Sequence, residues 1–376
     1  MKHLQFIFPL FFLMVFKTTA QKNDTGRPIW TAAKATEWYS KQPWLVGANF
    51  LPSTAINELE MWQAETFDTT TISREFGWAA ALGMNTMRIF LHDLAYKQDP
   101  DGFKKRMEIV LRIANRYHIK PLFVLFDSCW DPFPHQGKQH EPAPFLHNSG
   151  WVQSPGADAL KDLTQYPRLK KYVVDVVGFF SKDKRVLGWD VWNEPDNTNN
   201  SSYGRFEAYD KVKQVSNLLQ KVFIWTRSAN PSQPITSGIW AGDWSNADSL
   251  KPIEKMMVEQ SDIISFHNYD SGEEIEKRIQ WLQRYNRPII CTEYMSRGNG
   301  STFEGSMPVA KKYKIAIFNW GLVSGKSQTI FPWDSWSKKY TTQPDLWFHD
   351  IFYRDGKPYK QTEVDFITKI TALKTK

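Results

Sequence analysis

The sequence has 376 residues and a formal net charge of +7, with its basic residues scattered rather than gathered into a stripe, which argues against nucleic acid as a partner. Two cysteines, Cys129 and Cys291, are too few for a disulfide framework. Aromatic residues make up 15% of the chain and 17 residues are Trp, which leaves open either a Trp-rich core or flat apolar faces offered to the C–H faces of sugars.

The chain opens with basic Met1-Lys2-His3, continues in an apolar run over 4–16 broken by Gln5 and Pro9, and reaches the small residues Thr18-Thr19-Ala20. This tripartite pattern predicts a signal peptide over 1–20 and a mature chain over 21–376, secreted or periplasmic. The apolar run is shorter than the roughly twenty residues that a membrane span needs, and no later segment is apolar enough, so no span is expected.

Short apolar runs then alternate with amphipathic stretches. The runs predict strands over 45–50, 86–92, 120–127, 186–193, 235–240, 263–269, 288–293 and about 321–324. Helical periodicity covers 71–82, 103–117, 166–180, 206–227, 250–259, 273–285 and 309–318, the last read as starting just after Pro308. Eight alternating units predict an α/β fold with a parallel sheet covered by helices. No G-x-G-x-x-G follows the first strand and no phosphate loop is present, so a closed (β/α)8 TIM barrel of one domain is expected rather than an open doubly wound sheet. That arrangement puts Cys129 and Cys291 on opposite sides of the barrel, too far apart for a bond.

A long insertion, residues 128–164, follows the third strand and therefore lies at the C-terminal mouth, where barrel sites form. It holds Trp130, Trp151, five Pro and the three His residues His135, His140 and His147. The His spacings match no zinc pattern, so no metal is expected, and no cofactor motif is present. Trp130 and Trp151 have flat faces suited to walling a cleft; packing as a lid over the barrel rim is the alternative.

Two carboxylates close apolar strands. The fourth strand runs Gly188-Trp189-Asp190-Val191-Trp192-Asn193-Glu194-Pro195, and the seventh runs Ile289-Ile290-Cys291-Thr292-Glu293-Tyr294. Two acids on facing sides of a barrel mouth can give a proton to a leaving oxygen and attack an anomeric carbon, which is the chemistry of glycoside cleavage.

These motifs resemble clan A of the retaining glycoside hydrolases, and the chain is most similar to the cellulase-like family 5. Gly47-Ala48-Asn49-Phe50 resembles the start of that family's barrel, and the resemblance extends over roughly 47–333. It implies Glu194 as acid/base, Glu293 as nucleophile and Asn193 as partner to the sugar 2-hydroxyl. Arg88, Phe90 and His92 alternate onto one face of the second strand, and Ser265, His267 and Tyr269 onto one face of the sixth. An inward Arg88 would hold Glu293 ionised at a low pKa. His267 and Tyr269 resemble the family's His-x-Tyr pair, whose Tyr bonds the nucleophile, and His92 is a further candidate for contact with the sugar. For the Trp that floors the sugar site, Trp333 is the candidate, and for Trp320 or Trp336 a core role is the alternative.

The implied activity is retaining hydrolysis of β-linked mannan, glucan or xylan. A carbohydrate-binding pseudoenzyme and a transglycosidase are the alternatives on the same fold. Linkage, endo or exo action and oligomeric state stay open.

Overall fold

The computed structural model describes residues 26–372, so the predicted signal peptide lies outside the described residues. Eight strands form the expected barrel: β1 (Val46–Phe50), β2 (Thr86–Phe90), β3 (Lys120–Val124), β4 (Gly188–Asp190), β5 (Ile235–Thr236), β6 (Ile264–Asn268), β7 (Ile289–Tyr294) and β8 (Ala316–Asn319). They pair in parallel in the order β5-β4-β3-β2-β1-β8-β7-β6. A parallel bridge between Ile239 and Phe266 joins the two ends of that order. The result is a (β/α)8 TIM barrel.

All strand residues except Lys120 are buried, as expected where helices cover one face and the barrel interior the other. Several regular strands are shorter than predicted because pairing breaks off and resumes. Beyond β3 and β4, for example, it returns as a bridge between Asp127 and Asn193. The helix Pro100–Arg116 shows the local logic: the Asp99 side chain accepts from Gly102 N, Pro100 opens the first turn, and Met107, Val110, Leu111 and Ala114 face the core.

The last barrel unit corrects the sequence reading. The helix spans Phe303–Tyr313 and starts where the Thr302 hydroxyl caps Gly305 N, so Pro308 lies inside it. The proline N–H is missing, but the Glu304 carbonyl it would have served belongs to an exposed residue in the first turn, where water can replace the bond. Lys314, at φ +54, ends the helix. Residues 316–318, read as helix, belong to the strand instead, and Ile315 leads into it; the alternation of Ile315 and Ile317 suits an extended chain better than a helix. Residues 321–324 follow β8 rather than form it, and Trp320 stands directly after the strand's last residue, Asn319.

At the N-terminal end of the strands, Trp30, Leu45, Leu122, Leu187, Ile263, Ile290 and Phe318 pack together under Trp38 and Tyr39. This apolar floor closes the barrel bottom. Toward the mouth the interior becomes polar: Arg88, Asp190, Thr236, Ser265, Asn49 and Thr292 are all buried there.

Candidate active site

Arg88, on β2, is fully buried and organises the barrel mouth. Its Nε and Nη2 donate to Asp190 Oδ2 at 3.0 and 2.8 Å, Nη1 donates to Asn49 Oδ1 at 2.9 Å and Glu293 Oε1 at 2.7 Å, and Nη2 also donates to Asn193 Oδ1 at 2.8 Å. These contacts occupy all the N–H donors of a guanidinium. One side chain therefore fixes residues from β1, β4, the segment after β4, and β7 at once.

Glu293 sits on β7. A register shift between Phe266 and His267 sets His267 beside it, a use of strand irregularity to re-aim a side chain. Tyr269 Oη donates to Glu293 Oε2 at 2.7 Å. His267 Nδ1 lies 2.9 Å from Glu194 Oε1 and 3.5 Å from Glu293 Oε2. Burial lowers His267 to about 4, so its ring is neutral near pH 7.

Glu194 follows β4 at φ +43, a left-handed conformation rare for a residue with a side chain. Strain of this kind costs on the order of 1–3 kcal/mol and persists where the surroundings over-determine it. Here Oε2 accepts from Asn197 Nδ2 at 2.7 Å and from Cys129 Sγ at 3.3 Å. Burial pushes the carboxyl up to about 7, and the Asp196 charge adds to the effect. Glu293 is also raised, by burial, with His267, Arg88 and the Tyr269 hydrogen bond opposing. This corrects the expectation of a low pKa for Glu293: the Arg88 contact is present, but removal from water outweighs it. Glu194 lacks any comparable cation in direct contact, and that difference separates the two carboxyls.

The carboxyls open into a cavity of about 430 Å³ lined by Trp130, His147, Trp240, Tyr269, Trp320 and Trp333, with the 196–202 segment as a further wall. Asn193 also lines it, with Nδ2 donating to Asp127 Oδ1 at 2.9 Å. Trp333 meets Tyr269 edge-on at 5.0 Å, and Trp130 stacks on Trp336 at 5.5 Å. Trp240 donates through Nε1 to Asp196 Oδ1 at 2.7 Å.

Three sequence readings change. His92 does not reach the cavity: it is fully buried, its Nδ1 caps the helix Asp93–Gln98 by accepting from Leu94 N, and its Nε2 meets the Gln153 carbonyl. It lies past the end of β2, where strand alternation no longer dictates direction. Trp151 is buried against Phe90 and Trp320 and donates through Nε1 to Asp127 Oδ2, so it packs the rim while Trp130 lines the cavity. Trp320, for which a core role was the alternative, lines the cavity from just past β8. The inventory of candidates also missed Trp240, Asn197 and Cys129. Trp240 closed a predicted strand and so carried the same signal as the two Glu; Asn197 and Cys129 carried none.

His135 and His140 are exposed and His147 is buried with Nδ1 on the Phe331 carbonyl. Among the described residues, the group with ligand atoms close enough to share a cation is Glu194, His267 and Glu293, within 4.8 Å of one another. His267 Nδ1, hydrogen-bonded to Glu194 Oε1 and 3.5 Å from Glu293 Oε2, accounts for that closeness. Cys129 and Cys291 are both free thiols.

The solved structures to which this chain is similar are barrels of the same kind. The exo-β-1,4-mannosidase from Opitutaceae bacterium strain TAV5 superposes with a TM-score of 0.56 at 16% identity, over 87% of this chain and 58% of that one. This chain thus spans little more than half that protein's length. The hyperthermostable endo-1,4-β-D-mannanase from Thermotoga petrophila RKU-1 gives 0.53 at 14% identity, over 87% and 99%. The β-mannanase from the blue mussel Mytilus edulis gives 0.51 at 15% identity, over 81% and 94%. At these identities the likeness establishes the fold. No curated protein sequence matches the chain. The sequence model of the cellulase family matches residues 58–337, most of the barrel and both carboxylates, and the chain accordingly belongs to glycosyl hydrolase family 5.

Proposed function

We propose that this chain is a retaining β-glycosidase that hydrolyses β-1,4-linked mannosides by double displacement. Glu293 attacks the anomeric carbon while Glu194 gives its proton to the departing glycosidic oxygen. Glu194 then takes a proton from water, which displaces Glu293 from the sugar. The observation that carries the reading is the closeness of the two acids: one oxygen of each lies within 4.8 Å of the other, with His267 Nδ1 2.9 Å from Glu194 Oε1 and 3.5 Å from Glu293 Oε2. Retention uses a separation of about 5–5.5 Å, whereas inversion leaves about 6.5–9.5 Å for a water between the acids.

In this reading Asn193 meets the sugar 2-hydroxyl, Trp320 and Trp333 offer the sugar platform, and Trp130 walls the leaving-group side. The choice of mannoside over glucan or xylan is supported by the names of the similar structures, an exo-mannosidase, an endo-mannanase and a β-mannanase. Export follows from the amino-terminal sequence pattern. The test is incubation with β-mannan, β-glucan and xylan, with NMR of the first product. Release of the β-anomer from mannan is the expected result, and an α-anomer would overturn double displacement. Adding acceptor sugars separates hydrolysis from transfer.

A further inference from the structure

Cys129 is held against Glu194 by a set of contacts that neither a disulfide nor a metal explains. Its backbone N–H donates to Asp127 Oδ1 at 3.0 Å, the same oxygen that accepts from Asn193 Nδ2. Asp127 is itself fixed by Trp151 Nε1 at 2.7 Å. The sulfur then meets three polar groups: Asn193 Nδ2 at 3.5 Å, Asn197 Nδ2 at 3.4 Å and Glu194 Oε2 at 3.3 Å.

The directions of these bonds follow from the inventory of donors. An amide NH2 group has two hydrogens and no acceptor lone pair. Asn193 gives one hydrogen to Asp127 and Asn197 gives one to Glu194, leaving each a second for the sulfur. With two N–H donors on the sulfur, the thiol's own hydrogen points to Glu194 Oε2. We propose that Cys129 is a positioning residue for the acid/base: it donates S–H to Glu194 Oε2 and, as a weak donor, orients the carboxyl without stripping it of its proton. This rests on the reading of Glu194 given above.

Two physical points support the choice of sulfur. Donors to a carboxylate favour its ionised form, so a strong donor here would empty the acid of the proton it must deliver. Burial, with Asp127, Glu194 and Glu293 nearby, pushes the Cys129 thiol well above its usual range, so it stays protonated and keeps donating across the working pH.

The test compares wild type, Cys129→Ser and Cys129→Ala by the pH dependence of kcat/KM, which reports the free enzyme's acid and base. The substrate is an oligosaccharide that the wild type cleaves, run beside an aryl glycoside with a good leaving group. A hydroxyl donates more strongly than a thiol, so Cys129→Ser should move the basic limb down by about half a pH unit to one unit. Cys129→Ala removes a donor and should move it up by a similar amount. The aryl substrate should respond little, because its departure needs no proton. Unmoved limbs, limbs that move in the same direction, or a uniform loss at every pH would overturn the inference alone. A wild type that cleaves neither substrate would overturn the glycosidase reading and this inference with it. If Cys129→Ala does not fold, the near-isosteric Ser variant decides by the direction of its shift.

Discussion

Glu194→Gln removes one titrating proton from the site while keeping the side chain's shape. In the folded protein burial pushes this carboxyl from 4.5 to about 7, so the native state holds the proton more tightly than the unfolded chain does. Where the native state binds more protons, the free energy of unfolding falls as pH rises. The contribution of Glu194 is thus fully present below the unfolded value of 4.5, lost as pH climbs to about 7, and absent above that. At about 1.4 kcal/mol per pH unit of displacement, the loss comes to about 3 kcal/mol. Solvent screening takes little from this, since Glu194 is 8% exposed. The Gln variant has no such titration. Its unfolding free energy minus that of the wild type should rise by about 3 kcal/mol between roughly pH 4 and pH 8. Changes in hydrogen bonding to Asn197, Cys129 and His267 add an offset, but that offset does not follow the carboxyl's titration. Urea unfolding of both proteins across that range, with m-values checked for constancy, measures the slope. A flat or falling difference would refute the argument that burial keeps the acid protonated.

Glu293→Ala should abolish turnover of every substrate, whereas Glu194→Ala should spare aryl glycosides with good leaving groups and regain turnover with azide; equal loss on activated substrates would reverse or void the roles. Trp151→Ala should lose about 3–5 kcal/mol of stability in thermal or urea unfolding, as a packed aromatic does. Trp130→Ala should raise KM for longer oligosaccharides with little change in Tm, and a large fall in Tm with unchanged kinetics would make it a packing residue too. Asp190→Asn leaves Glu293 as the one carboxylate in contact with Arg88, so the acidic limb of kcat/KM should move to lower pH by about one unit; a limb that stays or rises would contradict the charge coupling.

How far the site could be read from sequence depends on what held each residue in place. Glu293, Arg88, His267 and Tyr269 lie on strands or within one residue of a strand end, where alternation and barrel topology together decide direction. Glu194 was legible because its motif follows an apolar run. His92 was misplaced because it lies beyond the last paired residue of β2, where a helix cap rather than a pleat orients the ring. Trp320 was not picked out because β8 was read several residues late, which left it between the predicted helix 309–318 and the predicted strand 321–324 instead of directly after β8. The contacts of Cys129 and Asn197 with Glu194 depend on two loops meeting after β3 and β4, and nothing in either segment announces the other. Trp content was equally silent: Trp62, Trp189, Trp192, Trp244 and Trp347 are fully buried, while Trp130, Trp240, Trp320 and Trp333 line the cavity.

The charges at the barrel mouth supply a reason for the proposed division of labour. Arg88 is in contact with Asp190 and Glu293, so with both ionised the centre already carries one net negative charge. His267, lowered to about 4 by burial, contributes no positive charge near neutral pH. Ionising Glu194 would add a second negative charge within 4.8 Å of Glu293, in a site that burial has already removed from water. At that distance the repulsion alone is about 3 kcal/mol for an effective dielectric constant of about 20. A proton on either carboxyl relieves it, but protonating Glu293 would discard its contact with a guanidinium at 2.7 Å. Protonating Glu194 disturbs hydrogen bonds only with neutral groups, Asn197, Cys129 and His267. The proton therefore belongs on Glu194, which leaves Glu293 as the anion beside Arg88: one acid ready to donate and one base ready to attack, set by which strand carries the arginine.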